Sequence, residues 1–213
     1  MKTDDFVSLL ATGVAPVDPD VPGQRFRMAL SAGAVGAALV MLMAFGLNPH
    51  LRAAAMLPMF WVKLVFPATL GLVAVLLAQR LSHPGMRLGA AAKAWPGPVI
   101  AMALLALLVW LDAAPADRPD MIYGKTWKTC SRNIAIVAAP VLAGVLWAMK
   151  GLAPTRLVLA GASAGLLAGA VGTVVYALHC QEMAAPFVLV WYGAGMLLCT
   201  AIGAAVGPRV LRW

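Results

Sequence analysis

Cysteine supplies the most reactive side chains in this chain, and two of its three cysteines stand out by position. Cys130 and Cys180 are fifty residues apart, with no Cys-x-x-Cys spacing between them. Each lies at the mouth of a long apolar run: Cys130 four residues before Ile134, Cys180 two residues after Leu178. His179 adjoins Cys180, and Glu182 comes two residues later. Three chemistries are open to such a set. Two thiols can close a reversible disulfide, which persists where the compartment is oxidising. Thiolate, imidazole and carboxylate together suit soft and borderline cations, so Cys130, Cys180, His179 and Glu182 form a candidate metal set, for a transient ion rather than a resident cofactor. The third reading is inert packing, which free cysteines in apolar surroundings commonly serve. Inert packing fits Cys199, deep in the last apolar run. Lys125, Lys128 and Arg132 flank Cys130, and neighbouring cations favour a thiolate. Cys130 is therefore expected to be the more reactive of the pair.

These residues need elements to position them, and composition dictates which kind. The chain has 213 residues, 62% of them hydrophobic and only 11% charged. Soluble domains carry about a quarter charged residues. One soluble core cannot hide this much apolar surface, so lipid is the expected solvent. Apolar runs fall at about 28–47, 58–78, 97–114, 134–149, 157–178 and 186–206. Each is close to the ~20 residues that span a bilayer as helix. Runs this long and unbroken lack the alternation of a barrel strand. The expectation is an all-α bundle of six transmembrane helices.

Short loops orient such a bundle through their Lys and Arg. Lys2, Arg25, Arg27, Arg80, Arg87, Lys93, Lys150, Arg156, Arg209 and Arg212 fall on one side, and Arg52, Arg118, Lys125, Lys128 and Arg132 on the other. The richer side is expected to be cytoplasmic, with both termini inside a bacterial inner membrane. Cys130 and Cys180 then share the outer face. The net charge of +8 is scattered over loops and span ends, with no basic stripe for nucleic acid.

Two features inside the spans carry further expectations. Lys63 is a cation within the second run, and such residues are functional by default. Its place five residues from the boundary also lets it snorkel, beside Trp61, with Asp112 as candidate partner. Gly161, Gly165 and Gly169 are spaced by four and stack on one helix face, where backbones can approach closely. That face could meet another helix of this chain or a second copy in a homodimer.

Residues 1–27 form a separate cytoplasmic segment ahead of the 28–213 membrane domain. Thr3 can cap a short helix, Asp4 and Asp5 suit its first turn, and Gly13 can stop it. Phe6, Val7, Leu9 and Leu10 give it an apolar face. Pro16, Pro19 and Pro22 make the next stretch a stiff tether. An amphipathic helix on a stalk suits helix-in-groove binding of a partner, with Asp4, Asp5, Phe6, Leu9 and Leu10 as contacts. Its acidic residues and single Lys fit poorly with lying on anionic lipid. No Ser/His/Asp set, zinc spacing or phosphate loop is present, so a non-enzymatic role is expected. A quinone-coupled thiol oxidoreductase and a small transporter are the alternatives.

Several stretches carry a resemblance. They are Met1-Lys-Thr-Asp-Asp with Leu9-Leu10 and Ala15-Pro16-Val17, Leu57-Pro-Met-Phe-Trp-Val-Lys63-Leu, and Thr126-Trp127 with Cys130 and Asn133-Ile134. Gly151-Leu-Ala-Pro-Thr-Arg156, Tyr176-Ala-Leu-His179-Cys180, Glu182-Met183-Ala-Ala-Pro186-Phe and Trp191-Tyr192 complete the set. Together they resemble the NrsF family, six-span inner-membrane anti-sigma factors of proteobacteria. The resemblance implies a protein that holds an extracytoplasmic-function sigma factor at the membrane and releases it under envelope stress. It implies that Cys130 and Cys180 are the family's outward cysteines, linked to sensing oxidants or heavy metals, and that the N-terminal segment binds sigma. Cys199 is not among the matched positions.

Overall fold

A computed structural model describes residues 3–12, 20–86, 88–89 and 91–212. Met1, Lys2, Gly13, Pro16, Pro19 and Arg87, on which parts of the sequence reading rest, lie outside the described residues. Among the described residues every regular element is helical. In chain order they are α1 (Thr3–Ala11), α2 (Val21–Ala44), α3 (Leu51–Ala55), α4 (Pro58–Leu81), α5 (Ala91–Ala94) and α6 (Pro96–Asp112). Then come α7 (Arg118–Tyr123), α8 (Trp127–Lys150), α9 (Leu157–Tyr176), α10 (Ala185–Phe187), a π turn (Val188–Tyr192) and α11 (Gly193–Val210).

Five stretches are long and apolar enough to cross a membrane: Val21–Ala44, Pro58–Leu81, Arg118–Lys150, Leu157–Tyr176 and Ala185–Val210. The sixth apolar run folds as α6, whose 17 residues fall short of that length. Leu39, Met43, Leu72, Leu104, Leu108 and Leu197 all point outward and exposed. Contiguous apolar surface on this scale belongs against lipid rather than water. Trp61, Trp95 and Trp147, at helix ends, are exposed too, as interfacial tryptophans are.

Helix starts differ from the sequence expectation in two instructive places. α2 begins at Val21, so the 27/28 division falls inside a helix. Pro22 sits in its first turn, where no N–H is missed, and is not part of a tether. α8 begins at Trp127, seven residues ahead of the apolar run, so Cys130 lies in helix rather than loop.

α9 is the hub, packing on α2, α4, α8 and α11. Its contact with α11 is made by backbone. A Cβ built on Gly161 would meet the Gly203 carbonyl oxygen, and one on Gly165 the Cys199 carbonyl oxygen. Gly169 faces the Cβ of Cys199 at 2.9 Å in the same sense. The glycine face therefore closes on a helix of the same chain, and buried Cys199 is part of that closure. A second close approach went unread in the sequence: Gly33 of α2 lies against the Val141 backbone of α8, and Gly144 against the Ala29 carbonyl. α6 packs at the edge, burying only Met102 and Ala106.

Candidate functional site

The site begins where α9 ends. Cys180 N–H donates to the Tyr176 carbonyl at 3.0 Å, which sets Cys180 on the last turn. Residues 181–184 then run without regular structure to α10. Backbone in such a stretch needs partners from elsewhere. They come from two directions. Lys63 Nζ donates to the Cys180 carbonyl at 2.7 Å and lies 3.5 Å from that of Glu182. The Glu182 carboxylate accepts from Lys125 N–H at 2.8 Å, from Thr126 N–H at 3.2 Å and from the Thr126 hydroxyl at 3.3 Å. Thr126 is the N-cap of α8 but its own side chain makes no capping bond. Glu182 caps α8 instead, placing negative charge where the helix dipole favours it. Gly124 makes room for this. Its φ is +53°, and a Cβ there would lie 2.7 Å from Glu182 Oε2.

That cap brings the first turns of α8 against the end of α9, so Cys130 and Cys180 meet. They are 0% and 2% exposed, both as free thiols. Of the groups around Cys180, the Cys130 thiol does most to lower its pKa. Burial opposes it, while the Glu182 N–H, the Tyr192 hydroxyl and the Lys63 ammonium add to it. Negative charge therefore settles on Cys180. This reverses the ranking expected from flanking charge, because the cation that faces the pair is Lys63 rather than Lys125, Lys128 or Arg132.

Lys63 also departs from expectation. It is 0% exposed, so it does not snorkel. Asp112 is exposed and is not its partner. The Phe60 ring lies 5.4 Å from its ammonium. Two tyrosines close the chamber. Tyr176 reaches the Asn133 side chain. Tyr192 is fully buried, its hydroxyl turned toward Cys180 without closing a hydrogen bond of ordinary geometry. Tyr192 is carried by the π turn at Val188–Tyr192, and such turns recur at functional sites. It also frees the Trp191 carbonyl to accept from Ser131 Oγ at 3.0 Å, while Trp191 Nε1 donates to the Ile122 carbonyl at 2.8 Å.

The four-residue metal set does not assemble. His179 turns away, its Nδ1 3.0 Å from the Gly46 carbonyl and its ring against Phe45 and Tyr176. The Glu182 carboxylate is engaged at α8. Among the described residues no three His, Cys, Asp or Glu side chains gather as a metal-holding group. At the other end of the sequence, α1 is exposed throughout, with Phe6, Val7, Leu9 and Leu10 in solvent and Asp4 and Asp5 in its first turn.

Comparison with known proteins places these features in a lineage. The family described as NrsF, negative regulator of sigma F, matches residues 10–213. A probable anti-sigma-F factor NrsF of Azospira oryzae is 44% identical over 213 residues, covering all of both chains. An anti-sigma-F factor NrsF of Caulobacter vibrioides is 35% identical over 219 aligned positions, again covering both chains completely. No solved structure matches. Matches of this extent take in the capped α8, the 180–184 segment and the apolar helices together, and the chain belongs to the NrsF family.

Proposed function

We propose that this chain is an anti-sigma factor of the inner membrane, which holds a sigma factor at the cytoplasmic face and releases it when Cys130 and Cys180 are oxidised from outside. The observation that carries the reading is full-length similarity to two proteins named as anti-sigma-F factors, at 44% and 35% identity. α1 supports the partner half of it. Its apolar residues Phe6, Val7, Leu9 and Leu10 are all exposed, and a surface helix of this kind is built to be covered. A sigma factor of the extracytoplasmic-function type is the proposed occupant, with Phe6, Leu9 and Leu10 in its groove and Asp4 and Asp5 at the rim.

In this reading both termini are cytoplasmic and six helices cross. α6 serves as the third span; 17 residues rise about 26 Å, a little under the ~30 Å hydrocarbon core, and local thinning of the bilayer absorbs the difference. Oxidation is favoured over metal capture, because both free thiols are buried where α8 meets the end of α9 while the imidazole and carboxylate are engaged elsewhere.

The test is capture of sigma factor from detergent extracts. The full chain should retain it, and Phe6→Asp with Leu9→Asp should lose it at least tenfold. Retention by that double variant would overturn the docking role of α1. Absence of any sigma factor on the full chain would overturn the anti-sigma reading itself. Peroxide treatment should release the sigma factor from the wild type and leave a Cys130→Ser, Cys180→Ser protein loaded.

A further inference from the structure

Lys63 is fully buried, yet the groups that hold it are weak compensation for a full positive charge. Its ammonium meets two carbonyl oxygens and the face of Phe60. The nearby carboxylate, Glu182, spends its hydrogen bonds on the backbone of Lys125 and Thr126. A buried charge without a counter-charge is strongly unfavourable, and a group in that position neutralises or moves. The groups that face Lys63 come from every neighbouring element. They are Cys130 from α8 and Cys180 and Glu182 from the 180–182 stretch. Of these, the sulfurs are the groups whose capacity for negative charge depends on their covalent state.

We propose that Lys63 reads the state of the cysteine pair: its buried ammonium is held in place by the negative charge that the reduced pair can carry, and is set loose when a bond between the sulfurs removes that charge. The inference rests on the sensing half of the proposed function. Bridging by hydrogen peroxide joins the two sulfurs and breaks the peroxide O–O bond. Two hydrogens and two electrons pass from the thiols into two water molecules. A disulfide has no ionisable sulfur, so Lys63 is left with two carbonyls, the Phe60 ring and a Glu182 carboxylate whose hydrogen bonds are spent at α8. It then leaves the chamber or gives up its proton. Departure breaks its grip on the Cys180 and Glu182 carbonyls, and deprotonation leaves only the weaker hydrogen bonds of a neutral amine; in both cases the start of α4 is freed to separate from the segment that caps α8. Lys63 is thus a positioning residue that turns a redox event into movement of a helix.

The test is acetylation of Lys63 by acetic anhydride on the full chain in nanodiscs, scored by mass spectrometry before and after peroxide. Bridging is scored in parallel by a thiol-reactive polymer gel shift. Labelling of Lys63 should rise at least tenfold on bridging, while Lys125, Lys128 and Lys150 change less than twofold. In Cys180→Ser, Lys63 should be labelled readily with no peroxide. Bridged wild-type protein whose Lys63 stays protected overturns the inference and leaves the sensor standing. Failure of the wild-type pair to bridge overturns the sensor and the inference together. A Cys180→Ser protein that keeps Lys63 protected shows that sulfur charge does not hold it, and also overturns the inference.

Discussion

The α9–α11 contact and the cysteine chamber join helices by opposite means. At α9–α11, Gly161, Gly165 and Gly203 remove side chains until carbonyls meet Cα atoms. Dispersion and close packing hold it, with the buried Cys199 thiol as part of the packing. At the chamber, large buried side chains converge, among them Tyr176, Tyr192 and Lys63. Hydrogen bonds from two elements hold an irregular stretch of backbone there. The first contact has one good arrangement. The second depends on protons and electrons, so it can have two. The two contacts are separated along a common helix: the glycines line the body of α9, and Tyr176 stands at its end beside the chamber.

The contrast can be broken most severely at the glycines. Gly165→Leu should cost well beyond the ~1–3 kcal/mol of ordinary overpacking. The obstructing atoms are backbone of Cys199 and Thr200, which cannot rotate away. Loss of a monodisperse peak in detergent, with no dependence on peroxide, would be the outcome. Glu182→Gln should cost less, ~1–2 kcal/mol, in the range of a lost N-cap. Unlike the glycine change, it should slow bridging of Cys130 with Cys180, because the cap holds α8 against the 180–182 segment. Thermal unfolding and the rate of peroxide bridging would separate the two effects.

A pH series sharpens the same comparison. The folded-state pKa of Cys180 is lowered, first by the contact with Cys130. Its thiolate therefore persists as pH falls below the ordinary thiol value, and alkylation by iodoacetamide should show a midpoint on the acid side of about 8.5. The linked stability has the same sign: it is fully present above the unfolded thiol pKa and is lost as pH falls through the folded one. A midpoint at or above the ordinary value would contradict the placement of charge on Cys180. The smallest effect is expected at Gly71, on the face of α4 that packs against α9. A Cβ there would meet only the Ala170 Cβ, at 3.3 Å. Gly71→Ala should change stability by less than ~1 kcal/mol, because slight crowding offsets the gain in helix propensity. A large loss would mean that this contact is as tight as the one with α11.

The helical class and the apolar surface were legible because hydropathy is a property of consecutive residues. The Gly161, Gly165 and Gly169 stripe was legible because its period is local, although its partner, Gly203 and Cys199, is a matter of tertiary structure. The shared end of Cys130 and Cys180 came from counting spans. What the sequence hid were contacts across long separations. Lys63 was read against the membrane boundary five residues away, not against a carbonyl 117 residues along the chain. Glu182 was read as a ligand because of its neighbours Cys180 and His179, yet its role is to cap a helix that starts at Trp127. Flanking charge points to Cys130 for the same reason, whereas the surroundings of the pair in space favour ionisation of Cys180. Lys125, Lys128 and Arg132 are near Cys130 in sequence, while Lys63 is near it in space. Asn133, Tyr176 and Tyr192 stand out in the sequence only through the family resemblance, and nothing local says that they gather around the cysteines.

The Glu182 cap also has a bearing on how the protein is made. Synthesis runs from the N-terminus, so α8 is complete before residue 182 exists. Until then the Lys125 and Thr126 amides lack the acceptor they have in the finished fold. The leading end of α8 gains its carboxylate only when α9 has formed and the chain has turned back beyond it. α8 and α9 thus mature as one hairpin, and a nascent chain halted before Glu182 should expose an unfinished helix end to the membrane quality-control machinery.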